Sequence, residues 1–212
     1  MPAGSALERR ILARLDHLES EGLRRTLRPP VGIDLCSNDY LNLATDPRVV
    51  SRFAAAARQD GCGSTGSRLL RGDRDVFADV ERRFALFKQT ERSLYFSSGY
   101  LANLAVLTAL IDRGDVVFSD ERNHASLIDG LRLSRATVVV FPHNDITALG
   151  RLIDERRTGD LPLARATFIV VESLYSMDGD RAPLRQVADL CAAAGAMLIV
   201  DEAHAVGVFG ER

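Results

Sequence analysis

The sequence predicts an α/β domain of three layers, helix–sheet–helix, around a mostly parallel sheet. Three observations carry that expectation. From residue 75 onward, helical and extended patterns alternate along the chain. The runs TVVVF, TFIVV and MLIV are apolar on both faces, as strands are when helices cover both sides of a parallel sheet. Finally, 212 residues with 46% hydrophobic and 26% charged side chains make a globular composition with material for one large core.

The elements follow in order. Leu7, Ile11, Leu15 and Leu18 fall at near-helical spacing among arginines and acids, which predicts an amphipathic helix stopped by Pro29-Pro30. Gly32 to Ser37 reads as extended. Asp46-Pro47 reads as an N-cap followed by proline at the first helical position, opening a helix through Arg58 that Gly61 closes. Gly61 to Gly72, GCGSTGSRLLRG, is a glycine-rich loop with hydroxyls and two arginines. Helices are then expected at 75–89, 100–111, 125–133, 146–157 and 184–194, and strands at 93–97, 116–119, 137–141, 167–171 and 197–200. The division expected is an arm and part of a smaller domain over 1–60, with the large domain over 61–212.

Bulk properties exclude several function classes. A formal net charge of −2 gives no overall pull toward nucleic acid. Cys36, Cys62 and Cys191 are odd in number and widely spaced, which argues against a disulfide framework or a structural zinc site. The first twenty residues interrupt their apolar positions with charges, unlike a signal peptide, and no apolar run reaches transmembrane length. The expectation is a cytoplasmic protein with no membrane or nucleic-acid partner.

The chemistry is concentrated in LIVDEAHAVGVFG, 198–210. An acid pair and a histidine after a buried strand suit either a DEAH-type nucleotide-driven motor or a cofactor enzyme that needs an aspartate at a strand end. A motor needs a phosphate loop of the form G-x-x-x-x-G-K-[ST]. GCGSTGSR has no lysine and follows a helix, and the chain's only lysine, Lys88, sits in ALFKQT without glycines. A metal site is also disfavoured, because consecutive residues on a strand point to opposite faces, so Asp201 and Glu202 cannot readily share an ion. Read alone, the acid and the histidine cap a strand end; their company decides otherwise.

SNDYLNLA (37–44), GCGSTGSRLLRG (61–72), SSGYLANLA (97–105), NHASLIDG (123–130), HND (143–145), ESLYSMDGDRAPL (172–184) and VDEAHAVGVFG (200–210) together resemble the α-oxoamine synthases, in the same order. The resemblance implies the large domain of a fold-type I transferase dependent on pyridoxal 5'-phosphate (PLP), truncated before the segment carrying the Schiff-base lysine. It implies decarboxylative condensation of an amino acid with an acyl-CoA. The expected reaction joins L-alanine to a pimeloyl thioester in biotin synthesis, with acetyl transfer to glycine as the runner-up. Asp201 is expected to ion-pair the pyridine nitrogen and His204 to bind the phenolic oxygen. Ser98, Gly99 and Tyr100 are expected to bind phosphate at a helix N-terminus. His124 is expected to stack on the ring, while Glu172 and Ser176 lie near cofactor and substrate. Asn38, Tyr40, Ser64, Ser67 and Arg68 are the substrate-side expectations, arginine suiting the CoA phosphates or an acyl carboxylate. His143 and the Asp178-Gly179-Asp180 turn are read as structural. A homodimer, or pairing with a full-length homologue, is the expected assembly, the chain being inactive alone.

Three departures accompany the resemblance. Asn42 stands where the family has glycine, a place asparagine tolerates in left-handed backbone. Phe77 stands where the family has histidine. Lys88 matches no family lysine.

Overall fold

The computed structural model describes residues 5–29, 31–158 and 164–210. Pro30 and the last two residues of the sequence lie outside them. Contacts divide the chain into Met1–Asn38 and Asp39–Arg212. In the first unit, helix α1 (Ala6–Ser20) is capped by the Ser5 hydroxyl, which accepts from the Glu8 N–H. It ends nine residues before the expected prolines. Glu21 caps it, Gly22 turns with φ +67°, and the Leu18 carbonyl takes the N–H groups of Leu23 and Arg24. Among the described residues the rest of this unit forms no strand, and residues 32–37, read as extended, run through bends.

The second unit opens with Asn42 at φ +52°, the left-handed backbone expected at that position. Helix α2 (Pro47–Asp60) begins as its sequence requires: the Asp46 carboxylate accepts from the Arg48 N–H, and Pro47 fills the first turn. Gly61 closes it at φ +78°. The glycine-rich loop then runs into a five-residue π turn, Arg68–Gly72, and helix α3 (Asp75–Lys88).

The remaining elements build the sheet: α4 (Gly99–Leu110), β1 (Val116–Asp120), α5 (Ala125–Ser134), β2 (Thr137–Phe141), α6 (Ile146–Thr158), β3 (Thr167–Glu172), α7 (Leu184–Ala194) and β4 (Met197–Asp201). All pairings between these strands are parallel, in the order β2-β1-β3-β4. Alternate side chains divide between two cores. Val116, Phe118, Ile169 and Val171 pack with Leu149 and Ile153 of α6 and Val187 and Cys191 of α7. Val117, Phe168 and Val170 pack with Leu107 and Ile111 of α4 and Leu127 and Leu131 of α5. Helices therefore cover both faces, the three-layer arrangement the apolar strands predict. Each fully buried large side chain in these cores contributes about 1.5–3 kcal/mol.

Two strand expectations differ from the structure. Residues 93–97 form no strand, because no strand lies beside them among the described residues to complete a ladder. β2, read as buried on both faces, is an edge strand whose Val138 and Val140 are exposed. Apolar composition alone does not distinguish an edge from a centre. One contact bears on the site: a Cβ on Gly130 of α5 would stand 2.7 Å from Leu107 Cδ1 on α4. That glycine lets the two helices close together. No helix among the described residues is long and apolar enough to cross a membrane.

Candidate active site at the C-terminal strand ends

In a parallel sheet the strand ends converge with the following loops and helix N-termini, and ligands collect there. Asp201 ends β4 and pairs in register with Glu172, which ends β3. The Asp201 carboxylate is aimed by two donors. Its Oδ2 accepts from Asn103 Nδ2 of α4 at 2.7 Å, and its Oδ1 accepts from the Ala203 N–H at 2.8 Å. Its backbone carbonyl accepts from the Ser173 N–H at 2.8 Å and the Ser173 hydroxyl at 3.2 Å.

Asn103 also donates to Ser126 Oγ at 2.9 Å, and that hydroxyl lies 2.7 Å from His124 Nδ1. The Ser126 N–H donates to His124 Nδ1, which makes Nδ1 an acceptor and directs the Ser126 hydroxyl proton to it. Nδ1 accepts that proton and the Ser126 N–H at 3.2 Å, so the ring hydrogen sits on Nε2. His124 is thus the N-cap of α5, the local role its sequence context suggests, while its ring borders the cavity. Its N–H donates to Glu172 Oε1 at 2.5 Å. Burial pushes the Glu172 carboxyl up to about 7, against the pull of that N–H, with the Asp201 and Asp120 charges adding to the rise.

Across from Asp201 lies the start of α4. Ser98 is its N-cap, its hydroxyl accepting from the Leu101 N–H at 3.2 Å. The N–H groups of Gly99 and Tyr100 have no partner among the described residues, and nothing lies within 4 Å of where a Gly99 side chain would begin. Tyr100 donates its hydroxyl to Asp129 Oδ2, which raises its pKa. In the turn after β4, His204 Nδ1 meets the Tyr40 hydroxyl at 2.7 Å.

These groups enclose a cavity of about 450 Å³ lined by Gly99, Tyr100, Asn103, His124, Ser126, Glu172, Asp201 and His204, among others. Six of the expected cofactor residues meet there. Tyr40 reaches it through His204, and Ser98 shapes the helix start from behind. Others lie elsewhere. Ser176 is exposed in the Tyr175–Gly179 turn. Ser64 closes the glycine loop by donating to the Gly66 and Gly72 carbonyls, and Ser67 opens the π turn. Arg68 is held by Glu81 and Asp73 and lies 5.0 Å above the Phe77 ring, which stacks on Tyr95. Those carboxylates raise the guanidinium pKa further. Phe77, in the histidine's place, therefore supports an arginine rather than adding a polar group. Asn38 belongs to the first unit. Lys88 Nζ pairs with Glu202 at 2.6 Å, on the side of a second cavity of about 600 Å³ lined also by Arg181 and Phe209.

Sequence reasoning missed Asn103 and Ser126. The signal was present: in SSGYLAN the asparagine stands four residues after Gly99, on the helix face that carries the cavity.

The site offers an anchored carboxylate for a cation at one end and unpaired helix N–H groups for an anion at the other. Two imidazoles, those of His124 and His204, also line the cavity. A planar, phosphorylated, protonated heteroaromatic ring such as PLP fits that pattern.

Comparison with known proteins agrees. The chain is 48% identical over 211 residues to 8-amino-7-oxononanoate synthase of Anaeromyxobacter sp. (strain Fw109-5), covering 93% of this chain and 52% of that protein. It is 47% identical to the enzyme of the same name from Mycolicibacterium gilvum, covering 95% and 53%. The chain thus spans about half the length of these relatives. Among solved structures, Sphingomonas wittichii serine palmitoyltransferase superposes with a TM-score of 0.82 at 31% identity, over 98% of this chain and 55% of that one. Serine palmitoyltransferase from S. paucimobilis with a bound PLP–myriocin aldimine gives 0.80 at 30%, over 94% and 55%. The fold is that of fold-type I PLP-dependent transferases. Residues 30–212 match the family described as aminotransferase class I and II, and the chain belongs to it.

Proposed function

We propose that this chain forms the cofactor-holding face of a PLP-dependent α-oxoamine synthase, with 8-amino-7-oxononanoate synthesis as its reaction: condensation of L-alanine with a pimeloyl thioester, releasing carbon dioxide and the thiol, CoA. The observation that carries the cofactor reading is Asp201, aimed into the cavity by Asn103 and Ala203 opposite the free N–H groups of α4. The relatives' names support the choice of reaction.

Bound PLP supplies an electron sink for charge developing at an amino acid's Cα. The chain's residues make that possible. Asp201 would hold the proton on the ring nitrogen. The Gly99 and Tyr100 N–H groups would take the phosphate. The His124 ring, which borders the cavity, would pack against the cofactor, and His204, fixed by Tyr40, would donate toward the phenolic oxygen. Asn103 keeps Asp201 and His124 in fixed relation, so the carboxylate needs no reorientation when the ligand arrives. Lys88 is engaged by Glu202, a residue that lines both cavities, and we assign it no part in the reaction. The active assembly is a homodimer or a pairing with a full-length homologue.

The test is PLP titration of the chain by absorbance and fluorescence. Binding that weakens about 100-fold in Asp201→Asn, a loss of the size a desolvated ion pair provides, supports the reading. Equal binding by the two proteins overturns it. Supplying a full-length homologue and assaying alanine-dependent release of CoA tests the reaction and assembly.

A further inference from the structure

The structure holds a second polar cluster that the cofactor reading does not use. Asp120, buried at the end of β1, accepts on Oδ1 from the Arg122 N–H and on Oδ2 from the Asn144 N–H, each at 2.9 Å. His143, after β2, sets Nδ1 at 2.8 Å from Asp120 Oδ1 and Nε2 at 2.6 Å from Asp180 Oδ2. An ionised carboxylate only accepts, so an imidazole with a carboxylate oxygen at each nitrogen is satisfied when both nitrogens carry hydrogen. Burial opposes the charge, but the bonds to Asp120 and Asp180 outweigh it and raise the His143 pKa above its ordinary 6.5. Asp180 Oδ1 is buried without a hydrogen-bond partner, so that anion depends on what meets its other oxygen, His143 and Asn144 Nδ2.

Asp180 lies on a short hairpin that returns to the cofactor cavity. Its carbonyl accepts the Tyr175 N–H, Leu174 bridges Arg181, and the Ala182 N–H donates to the Ser173 carbonyl. Tyr175 sets its ring edge-on to His143 at 4.4 Å and its hydroxyl 3.4 Å from the Glu172 N–H. Ser173, at the hairpin's root, holds the Asp201 carbonyl.

We propose that His143 is a positioning residue: a clamped imidazolium that latches this hairpin to the end of β1 and thereby sets Glu172 and Asp201 for the cofactor. The proposal rests on the cofactor reading above. The titratable and charged groups around the imidazole are Asp120 and Glu121 of the β1 end, Glu172 and Tyr175, and Asp180 flanked by the Arg122–Asp178 ion pair. Since the folded-state pKa is raised, the latch is complete below about pH 6.5 and loosens as pH rises through the raised value.

Two readouts on the whole chain test it, with His17→Gln on α1 as control. In His143→Gln, hydrogen exchange at the Ser173 and Tyr175 amides rises about tenfold while Val117 and Ile169 keep wild-type protection. The PLP dissociation constant of His143→Gln exceeds wild type about tenfold near pH 6, and the ratio falls toward one as the wild-type imidazole deprotonates. A ratio that stays constant with pH marks a purely structural residue and overturns the proposal, as does unchanged hairpin exchange. If wild type takes up no PLP, the cofactor reading fails, and the exchange measurement alone decides the latch.

Discussion

The molecule carries two polar clusters at the same end of its sheet, and they are finished differently. Around His143, Asp120 meets three donors and the imidazole meets two acceptors, all from the chain itself. Around Asp201, the carboxylate is aimed but faces open space, and two backbone N–H groups across the cavity are unmatched among the described residues. A closed cluster holds its own segments together and reaches a ligand only through the residues it positions. An open one, held just as firmly by its supports, is prepared for something the chain does not contain. The comparison separates charges that act on a ligand through the fold from charges that face it directly, and substitutions on each side should respond accordingly.

The largest effect is expected in the closed cluster. Asp120→Ala leaves His143 beside one carboxylate fewer and orphans two backbone N–H groups, so chemical denaturation should show a loss of about 3–5 kcal/mol. Its open counterpart, Asp201→Asn, should change stability by less than about 1 kcal/mol while PLP affinity falls by roughly 2–3 kcal/mol, measured by titration. If both lose stability alike, the distinction between the clusters collapses. Glu172→Gln sharpens it from the other direction. Because its folded pKa is raised from 4.5 to about 7, wild type carries a penalty that grows over that interval and is full above it. The variant should gain roughly 1–3 kcal/mol over wild type above about pH 7, with the gain vanishing toward pH 4.5, in denaturation at both pH values. Smallest is Asn103→Ala, expected to weaken PLP binding by about 1–2 kcal/mol through loss of the hydrogen bond that aims Asp201.

Legibility in the sequence follows the same division. Elements specified locally were readable: Asp46-Pro47 opens α2, TFIVV is a buried strand, and Leu184–Ala194 is helical as its pattern demands. Elements decided by neighbours were not. β2 and residues 93–97 have strand-like composition, yet whether such a run is central, marginal or unpaired depends on what lies beside it. The site divides likewise. Asp201, His204, His124 and Gly99 stood out because recurrent blocks carry them. Asn103 did not, since an asparagine within a helix declares its role only when Gly130 lets α5 close on α4 and brings Ser126 within reach. Arg68 adds a case of another kind: its ion pairs with Glu81 and Asp73 join positions that a reading along the chain does not bring together.

The most direct measurement is the nitrogen-15 spectrum of PLP, labelled at its ring nitrogen, bound to the chain. The Asp201 carboxylate predicts a protonated pyridinium resonance in the wild-type protein and its loss in Asp201→Asn. A ring nitrogen that is unprotonated in wild type, or protonated to the same extent in both proteins, contradicts it.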